Sequence, residues 1–112
     1  MLIASRVLKL RSKNKDTDVA VRVYAPELEE ETGAWGCGYE VDWPDKKSVK
    51  TIYGIDSVQA LVLALQTIGA EIYSSNYHEA GQLFLDKPGT GYGFPVVPTY
   101  RDLLQGDDAK YL

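Results

Sequence analysis

The fold is decided by one nine-residue stretch, Trp35-Gly36-Cys37-Gly38-Tyr39-Glu40-Val41-Asp42-Trp43. Its odd-numbered positions are all apolar or aromatic, whereas its even-numbered positions are glycine or acid. Because side chains alternate between the two faces of a strand, this pattern predicts a strand with one buried face. The glycines Gly36 and Gly38 on the opposite face indicate that something packs closely there or that the sheet bends.

Three further strands are predicted around this stretch, over Leu2–Arg11, Asp18–Ala25 and Lys47–Tyr53. The first two are separated by the polar, turn-rich segment Ser12–Thr17, and Pro26 ends the second because it lacks a backbone donor. Consecutive strands joined by short loops usually pair, so the sequence predicts a four-stranded antiparallel meander.

One helix is predicted to begin at Asp56, whose carboxylate can cap the first turn while Gln59 completes a capping box. Seven residues then recur at helical spacing before the helix ends near Tyr73–Ser75: Val58, Leu61, Val62, Leu65, Ile68, Gly69 and Ile72. The remaining positions are also largely apolar, so we expect the helix to be enclosed by the rest of the protein and Gly69 to pack closely against the sheet. The core predicted between sheet and helix comprises Trp35, Tyr39, Val41, Leu61, Leu65 and Ile68.

The last third of the chain gives weaker signals. Gln82–Asp86 predicts a short strand, and the glycines and prolines of Lys87–Pro98 predict a structured loop. Tyr100–Gln105 predicts a helical turn, and Gly106–Leu112 is typical of a fraying tail. The expected class is therefore α+β, with one long apolar helix packed across the sheet and an irregular C-terminal segment.

The composition indicates one folded domain over residues 1–112, with 45% apolar residues and a net charge of −4. Its longest apolar run, Ala60–Leu65, is far shorter than the roughly 20 residues that a membrane span requires. The first residues lack the pattern of a signal peptide, so a cytoplasmic protein without membrane contact is expected. An acidic balance argues against nucleic acid as a partner.

Charge is unevenly distributed along the chain. Residues 1–22 hold six bases and two acids, whereas residues 23–112 hold six bases and fourteen acids. The most concentrated acidic run is Glu27, Glu29, Glu30 and Glu31. Two interpretations of this run stay open: a solvated loop, or an acidic patch that steers a basic protein partner by electrostatic attraction.

No catalytic residue, metal site or cofactor is predicted. Cys37 is the only cysteine, which excludes an intrachain disulfide and a multi-thiolate zinc site, and its place on the apolar face predicts a buried, inert thiol. His78 is the only histidine, and it is expected in an exposed loop after the helix. Ser74 and Ser75 lie near it but lack the strand-turn-helix setting of a nucleophilic serine.

The segment Gly89–Gly93 contains three glycines and is followed by Phe94. One interpretation is a loop whose glycines take positive φ while Tyr92 and Phe94 plug into the body of the protein. The other is an aromatic recognition surface presented by Tyr92 and Phe94. A pocket near the C-terminal end of the helix is a third hypothesis, and it would be lined by Tyr73, Tyr77, His78, Tyr92 and Phe94.

Three segments together resemble a family of small bacterial proteins known as a domain of unknown function: Tyr53–Gln66, Trp35–Tyr39 and Gly93–Val96. The resemblance implies a single-domain cytoplasmic protein, with toxin–immunity gene neighbourhoods in part of the family, and it supplies no catalytic residues. We therefore expect a non-enzymatic, immunity-like protein-binding module with a basic, toxin-like partner. The alternative is a small ligand-binding module or enzyme that uses the pocket near the helix end.

Overall fold

The computed structural model describes residues 1–96 and 104–112, with only the backbone of Tyr111. Its elements, in chain order, are β1 (Leu2–Ser12), β2 (Lys15–Tyr24), β3 (Glu27–Leu28), β4 (Trp35–Asp42), β5 (Lys47–Gly54), α1 (Ser57–Tyr73), α2 (Asn76–Glu79), β6 (Leu83–Phe84) and α3 (Gly106–Tyr111). The helical turn predicted over Tyr100–Gln105 lies outside the described residues except for its last two.

The α+β class with an antiparallel sheet is confirmed, but a four-stranded meander does not describe the topology. The described strands form one six-stranded sheet in the order β3-β4-β2-β1-β6, with β5 paired to β4. Strand β3 was not predicted separately. Its pairing with β4 places Glu27 opposite Gly36 and Leu28 opposite Trp35. A two-residue strand is too short to show alternation, so an acidic segment of this kind is interpreted as loop.

Contacts divide the chain into two compact units. Unit 1 comprises Met1–Arg6 and Ala20–Leu65, and unit 2 comprises Val7–Val19 and Gln66–Leu112. Strands β1 and β2 and helix α1 contribute residues to both units. The single domain over residues 1–112 stays a prediction.

The core of unit 1 lies on the predicted face of β4. Cys37, Tyr39 and Val41 are fully buried, while Trp35 is half-buried. The Cys37 thiol donates to the Tyr24 carbonyl, and burial raises its pKa, as expected of a packed and unreactive sulfur. The alternation in the sequence therefore predicted the orientation of this strand correctly.

The predicted helix cap is present. The Gln59 amide donates to Asp56 Oδ1 at 2.7 Å, and Gln59 Oε1 accepts from the Ile55 amide at 2.7 Å. The expected enclosure of the helix is wrong, because Val58 is 68% exposed and Val62 is 44% exposed.

The buried line of α1 agrees with the predicted stripe only in its second half. Ile68, Gly69 and Ile72 are buried as predicted, whereas Ala60 and Ala64 are the buried residues of the first half. Leu61 and Leu65, which were expected in the core, are half-buried. Small alanines allow a helix to approach its neighbours closely, so the larger leucines lie beside the line of closest contact.

In unit 2, Lys13 and Asn14 connect β1 to β2 with φ angles of 52° and 64°. Two consecutive positive φ values characterise the tight type I′ hairpin turn. The close packing expected at Gly69 is confirmed, but its partner is the Pro95 carbonyl and not the sheet, because a Cβ at Gly69 would overlap that oxygen.

The buried line of α1 predicts a difference between two aliphatic truncations on the same helix. Ile68→Ala removes a fully buried side chain and should lower the free energy of unfolding by about 2–5 kcal/mol. Val62→Ala removes an exposed one and should change it by less than about 0.5 kcal/mol. Urea unfolding of both variants measures the difference, and equal losses would show that this helix face is assigned wrongly.

Candidate functional site

The open face of β4 in unit 1 carries the first candidate site. Gly36 lies opposite Glu27 of β3 on one side and opposite Tyr53 of β5 on the other. A Cβ at Gly36 would lie 3.0 Å from Thr51 Cγ2 and 3.1 Å from Tyr53 Cε1. Close packing, one of the two interpretations of this face, therefore holds at Gly36, whereas a Cβ at Gly38 would meet nothing nearer than 3.9 Å.

A cleft of about 250 Å³, here called the Gly36 cleft, adjoins this glycine. It is lined by Glu27, Leu28, Glu29, Gly36, Thr51 and Tyr53. Its wall thus combines an aromatic ring with two carboxylates, whereas Leu28, which is paired with Trp35, directs its side chain to the opposite face of the sheet.

A second cleft of about 390 Å³, here called the Gly54 cleft, adjoins the first at Tyr53. It is lined by Thr32, Gly33, Ala34, Tyr53, Gly54, Ile55 and Gln59. Tyr53 is 54% exposed and is the one residue that lines both clefts. Its ring therefore separates two adjacent depressions on unit 1.

The acidic run forms the tip of the hairpin between β3 and β4. The Glu29 amide donates to the Ala34 carbonyl, and the Gly33 amide, with φ of +76°, donates to the Glu29 carbonyl, both at 2.8 Å. This turn presents Glu29, Glu30 and Glu31, here called the acidic tip, to solvent. No described residue forms an ion pair with these three or with Glu27, which is also exposed.

Other acids on the open face are neutralised locally. Glu40 accepts hydrogen bonds from the Tyr24 hydroxyl at 2.6 Å and Arg22 Nε at 2.9 Å, and Lys47 Nζ lies 3.3 Å away. Arg22 also reaches Asp42 at 2.6 Å. The bonds from Tyr24 and Arg22 lower the pKa of Glu40 to about 2. This network therefore fixes the sheet surface and adds little free negative charge.

Apolar side chains are also exposed on unit 1. Ile55, which lines the Gly54 cleft, is 80% exposed. Val58 and Val62, four residues apart on α1, present a second apolar strip to solvent. Unit 1 thus combines exposed apolar groups with the acidic tip.

Unit 2 contains the second candidate site, the aromatic cluster of Tyr73, His78 and Tyr92. The ring centroids are 4.9 Å apart for Tyr73 and His78, 5.1 Å for Tyr73 and Tyr92, and 5.5 Å for His78 and Tyr92. The convergence expected from the sequence is therefore present for these three rings. Tyr77 is half-buried and Phe94 is buried.

A buried carboxylate, Asp108 of α3, fixes this cluster. It accepts from the Tyr73 hydroxyl at 2.5 Å and from the backbone amides of Tyr92 and Gly93 at 2.8 Å each. Gly91, with φ of +92°, leaves the room that Asp108 needs, since a Cβ there would lie 2.6 Å from the carboxyl carbon. The tail is thus anchored as a short helix, which corrects the expected fraying.

Burial also decides between the two interpretations of the glycine loop. Tyr92 is 1% exposed and Phe94 is 5% exposed, so both rings plug into the protein. An exposed recognition surface made by Tyr92 and Phe94 is therefore wrong for this conformation. Burial, together with the charge of Asp108, raises the pKa of Tyr92 to about 12, so its hydroxyl stays protonated.

His78 does not lie in an exposed loop as expected, since it belongs to α2 and is half-buried. The cap of this helix is Ser75, whose Oγ accepts from the His78 amide at 3.1 Å. His78 Nδ1 lies 2.6 Å from the Tyr92 hydroxyl. This bond and the contacts with the rings of Tyr73 and Tyr92 hold the histidine in its half-buried position. The local sequence indicates none of these contacts.

Sequence reasoning missed Tyr53, Glu40 and Asp108. The position of Tyr53 beside Gly36 depends on strand pairing, although the glycine itself indicated that a neighbour lies close. Asp108 gave no signal, because its partners are 15 to 35 residues away in the chain.

Within the described ranges, no helix is long and apolar enough to cross a membrane.

The chain matches a known protein family. A family model described as a domain of unknown function (DUF6968) covers residues 4–96. No curated protein and no solved structure matches the chain. These comparisons therefore assign no activity to the two clefts or to the aromatic cluster.

The surroundings of His78 predict a pH dependence of stability. Burial lowers its pKa below the ordinary value of 6.5, so the folded state favours neutral histidine. This contribution to stability is present above pH 6.5 and is lost as the pH falls below it, because the unfolded chain then binds more protons. Urea unfolding between pH 5 and 8 should show this loss, and His78→Gln should reduce it. The same pH dependence in wild type and variant would contradict the assignment.

Proposed function

Since the chain belongs to this family of unknown function, we propose from its own surface that it is a non-enzymatic protein-binding module of the immunity type. Its partner is a basic protein, which it meets with the acidic tip, Tyr53 and the apolar groups beside it. The observation that carries the proposal is the juxtaposition of exposed acids and exposed apolar side chains around the two clefts of unit 1.

The charge of this surface supports a basic partner. Residues 23–45 contain seven acids and no lysine or arginine. Glu40 and Asp42 are paired with bases, whereas Glu27 and the acidic tip form no ion pair with a described residue. Solvated charges of this kind act over the Debye length of about 8 Å and accelerate the encounter with an oppositely charged protein.

The apolar groups supply the other half of an interface. Tyrosine is enriched among the residues that dominate binding energy, and Tyr53 presents half its surface between two depressions. Ile55, which lines the Gly54 cleft and is 80% exposed, adds an aliphatic group to this surface. A free cysteine and no disulfide favour a reducing compartment, so we place the function in the cytoplasm.

The alternative function, a ligand-binding module or enzyme at the aromatic cluster, has less support. The rings of Tyr73, His78 and Tyr92 do meet, but the two tyrosines are buried and their hydroxyls bond to Asp108 and His78. A cluster whose polar groups satisfy one another serves packing better than ligand recognition.

The acidic tip predicts the association kinetics. A partner is first recovered by pull-down from an extract of the source organism, and binding is then measured at two salt concentrations. Replacing Glu29, Glu30 and Glu31 by Gln should slow association by about tenfold at low salt and flatten its salt dependence, with little change in dissociation.

The matched control removes the same charge from unit 2 with Glu79→Gln, Asp86→Asn and Asp107→Asn, all exposed acids. The control should slow association less than the tip variant. Equal slowing by both would attribute the effect to net charge and contradict a role for the tip. If no protein partner is recovered, the alternative at the aromatic cluster becomes the better proposal.

The apolar groups predict the dissociation kinetics of the same complex. Ile55→Ser removes an exposed apolar side chain from the proposed interface and should speed dissociation by about tenfold, because buried anchors mainly govern the off-rate. Val7→Ser, at an exposed position of unit 2, should leave the rate unchanged. An Ile55 variant that dissociates like wild type would place this residue outside the interface.

A further inference from the structure

We propose that the Gly36 cleft is the receptor for one arginine side chain of the partner. The inference rests on the proposed function and adds to it the chemical group of the partner that enters this cleft. It is carried by the size of the cleft, by its aromatic wall and by its two carboxylates.

The size of the cleft fits one side chain. Sites for cofactors and small molecules generally occupy about 300–1,000 Å³ and enclose most of the ligand. The Gly36 cleft, at about 250 Å³, lies below that range. A single long side chain inserted from another protein matches this volume better than a separate small molecule.

The wall of the cleft fits a guanidinium group better than an ammonium group. A planar guanidinium stacks on an aromatic ring and donates to carboxylates in a fixed fork, whereas an ammonium is compact and strongly hydrated. Tyr53 supplies the ring, and Glu27 and Glu29 supply the carboxylates. Glu27 is paired with Gly36 and Gly36 with Tyr53, so the ring and this carboxylate lie on the same face of the sheet.

The charge inside the cleft is uncompensated by the residues that line it. Two of the six are glutamates and none is a base. Neither glutamate forms an ion pair with a described residue. A neutral occupant would leave both carboxylates partly covered without compensation, so the occupant is expected to carry positive charge.

The floor provides a matched pair of substitutions. A Cβ at Gly36 would come within 3.0–3.1 Å of Thr51 and Tyr53, whereas a Cβ at Gly38 would meet nothing nearer than 3.9 Å. Both glycines lie in the same strand, so Ala is compatible with their extended backbone. Gly36→Ala therefore alters the cleft, and Gly38→Ala changes the same strand without altering it.

The experiment titrates the full chain with short capped peptides and follows backbone amide shifts by NMR. The probes are Ac-Gly-Arg-Gly-NH₂ and its lysine and citrulline counterparts, since citrulline keeps the shape of arginine without its charge. The arginine peptide should shift the amides of Leu28, Gly36 and Thr51 saturably. Citrulline should bind at least about tenfold more weakly, and lysine should also bind more weakly.

The variants test the cleft itself. The single variant Gly36→Ala should weaken binding of the arginine peptide by about tenfold or more, and so should the double variant that combines Glu27→Gln with Glu29→Gln. Gly38→Ala should bind like wild type. If Gly36→Ala does not fold, Tyr53→Leu, at an exposed ring, provides the same test and should weaken binding similarly. Unfolding in urea and the dispersion of the NMR spectrum verify each fold.

Several results would overturn the inference: no saturable shift, equal affinity for the arginine and citrulline peptides, equal affinity for the lysine peptide, or unaltered binding by the Tyr53 and glutamate variants. These titrations require no protein partner. If the arginine peptide does not bind but association with a recovered partner still depends on the acidic tip, the arginine receptor is rejected and the proposed function is retained. Success without any recoverable partner would reject the proposed function and leave the site.

Discussion

Strand β4 must hide every second side chain from water, and the surface of unit 1 follows from that requirement. Burying Cys37, Tyr39 and Val41 orients the strand, because a slip of one residue would expose all three. The opposite face is then left to Gly36, Gly38, Glu40 and Asp42. A face without large side chains at its glycines cannot be flat, so a depression forms where Tyr53 rises beside Gly36.

The acids around this depression fall into two physical groups. Glu40, held by Tyr24, Arg22 and Lys47, acts within the sheet and keeps its charge to low pH. The acidic tip is held only by its backbone turn, and its side chains face solvent. The first group fixes the surface and the second supplies a field beyond it, which is the division of roles expected of an interface that attracts a charged partner.

Local signals in the sequence predicted the parts of the fold that depend on neighbours in the chain. The alternation over Trp35–Trp43 and the cap at Asp56 and Gln59 each identified an element and its orientation. The errors around the two candidate sites depend on distant partners. Tyr92 was open to two interpretations because its backbone amide bonds to Asp108, sixteen residues away. His78 was predicted in an exposed loop because the Tyr92 hydroxyl that it contacts lies fourteen residues away. Tyr53 was missed because its neighbour Gly36 is brought to it only by the pairing of β4 with β5.

The acidic candidates were predicted from composition, but the geometry that makes a site of them was not. Glu27 and Glu29 were predicted as part of a charged run, whereas their place on the wall of a cleft depends on β3, a strand too short to show a pattern. Hydroxyl-radical footprinting of the complex with the recovered partner is the sharpest test of this interface, because it reports side-chain exposure residue by residue. We expect Tyr53 and Ile55 to lose reactivity on binding while Val7 does not. Protection of Val7 with unchanged reactivity at Tyr53 and Ile55 would contradict it.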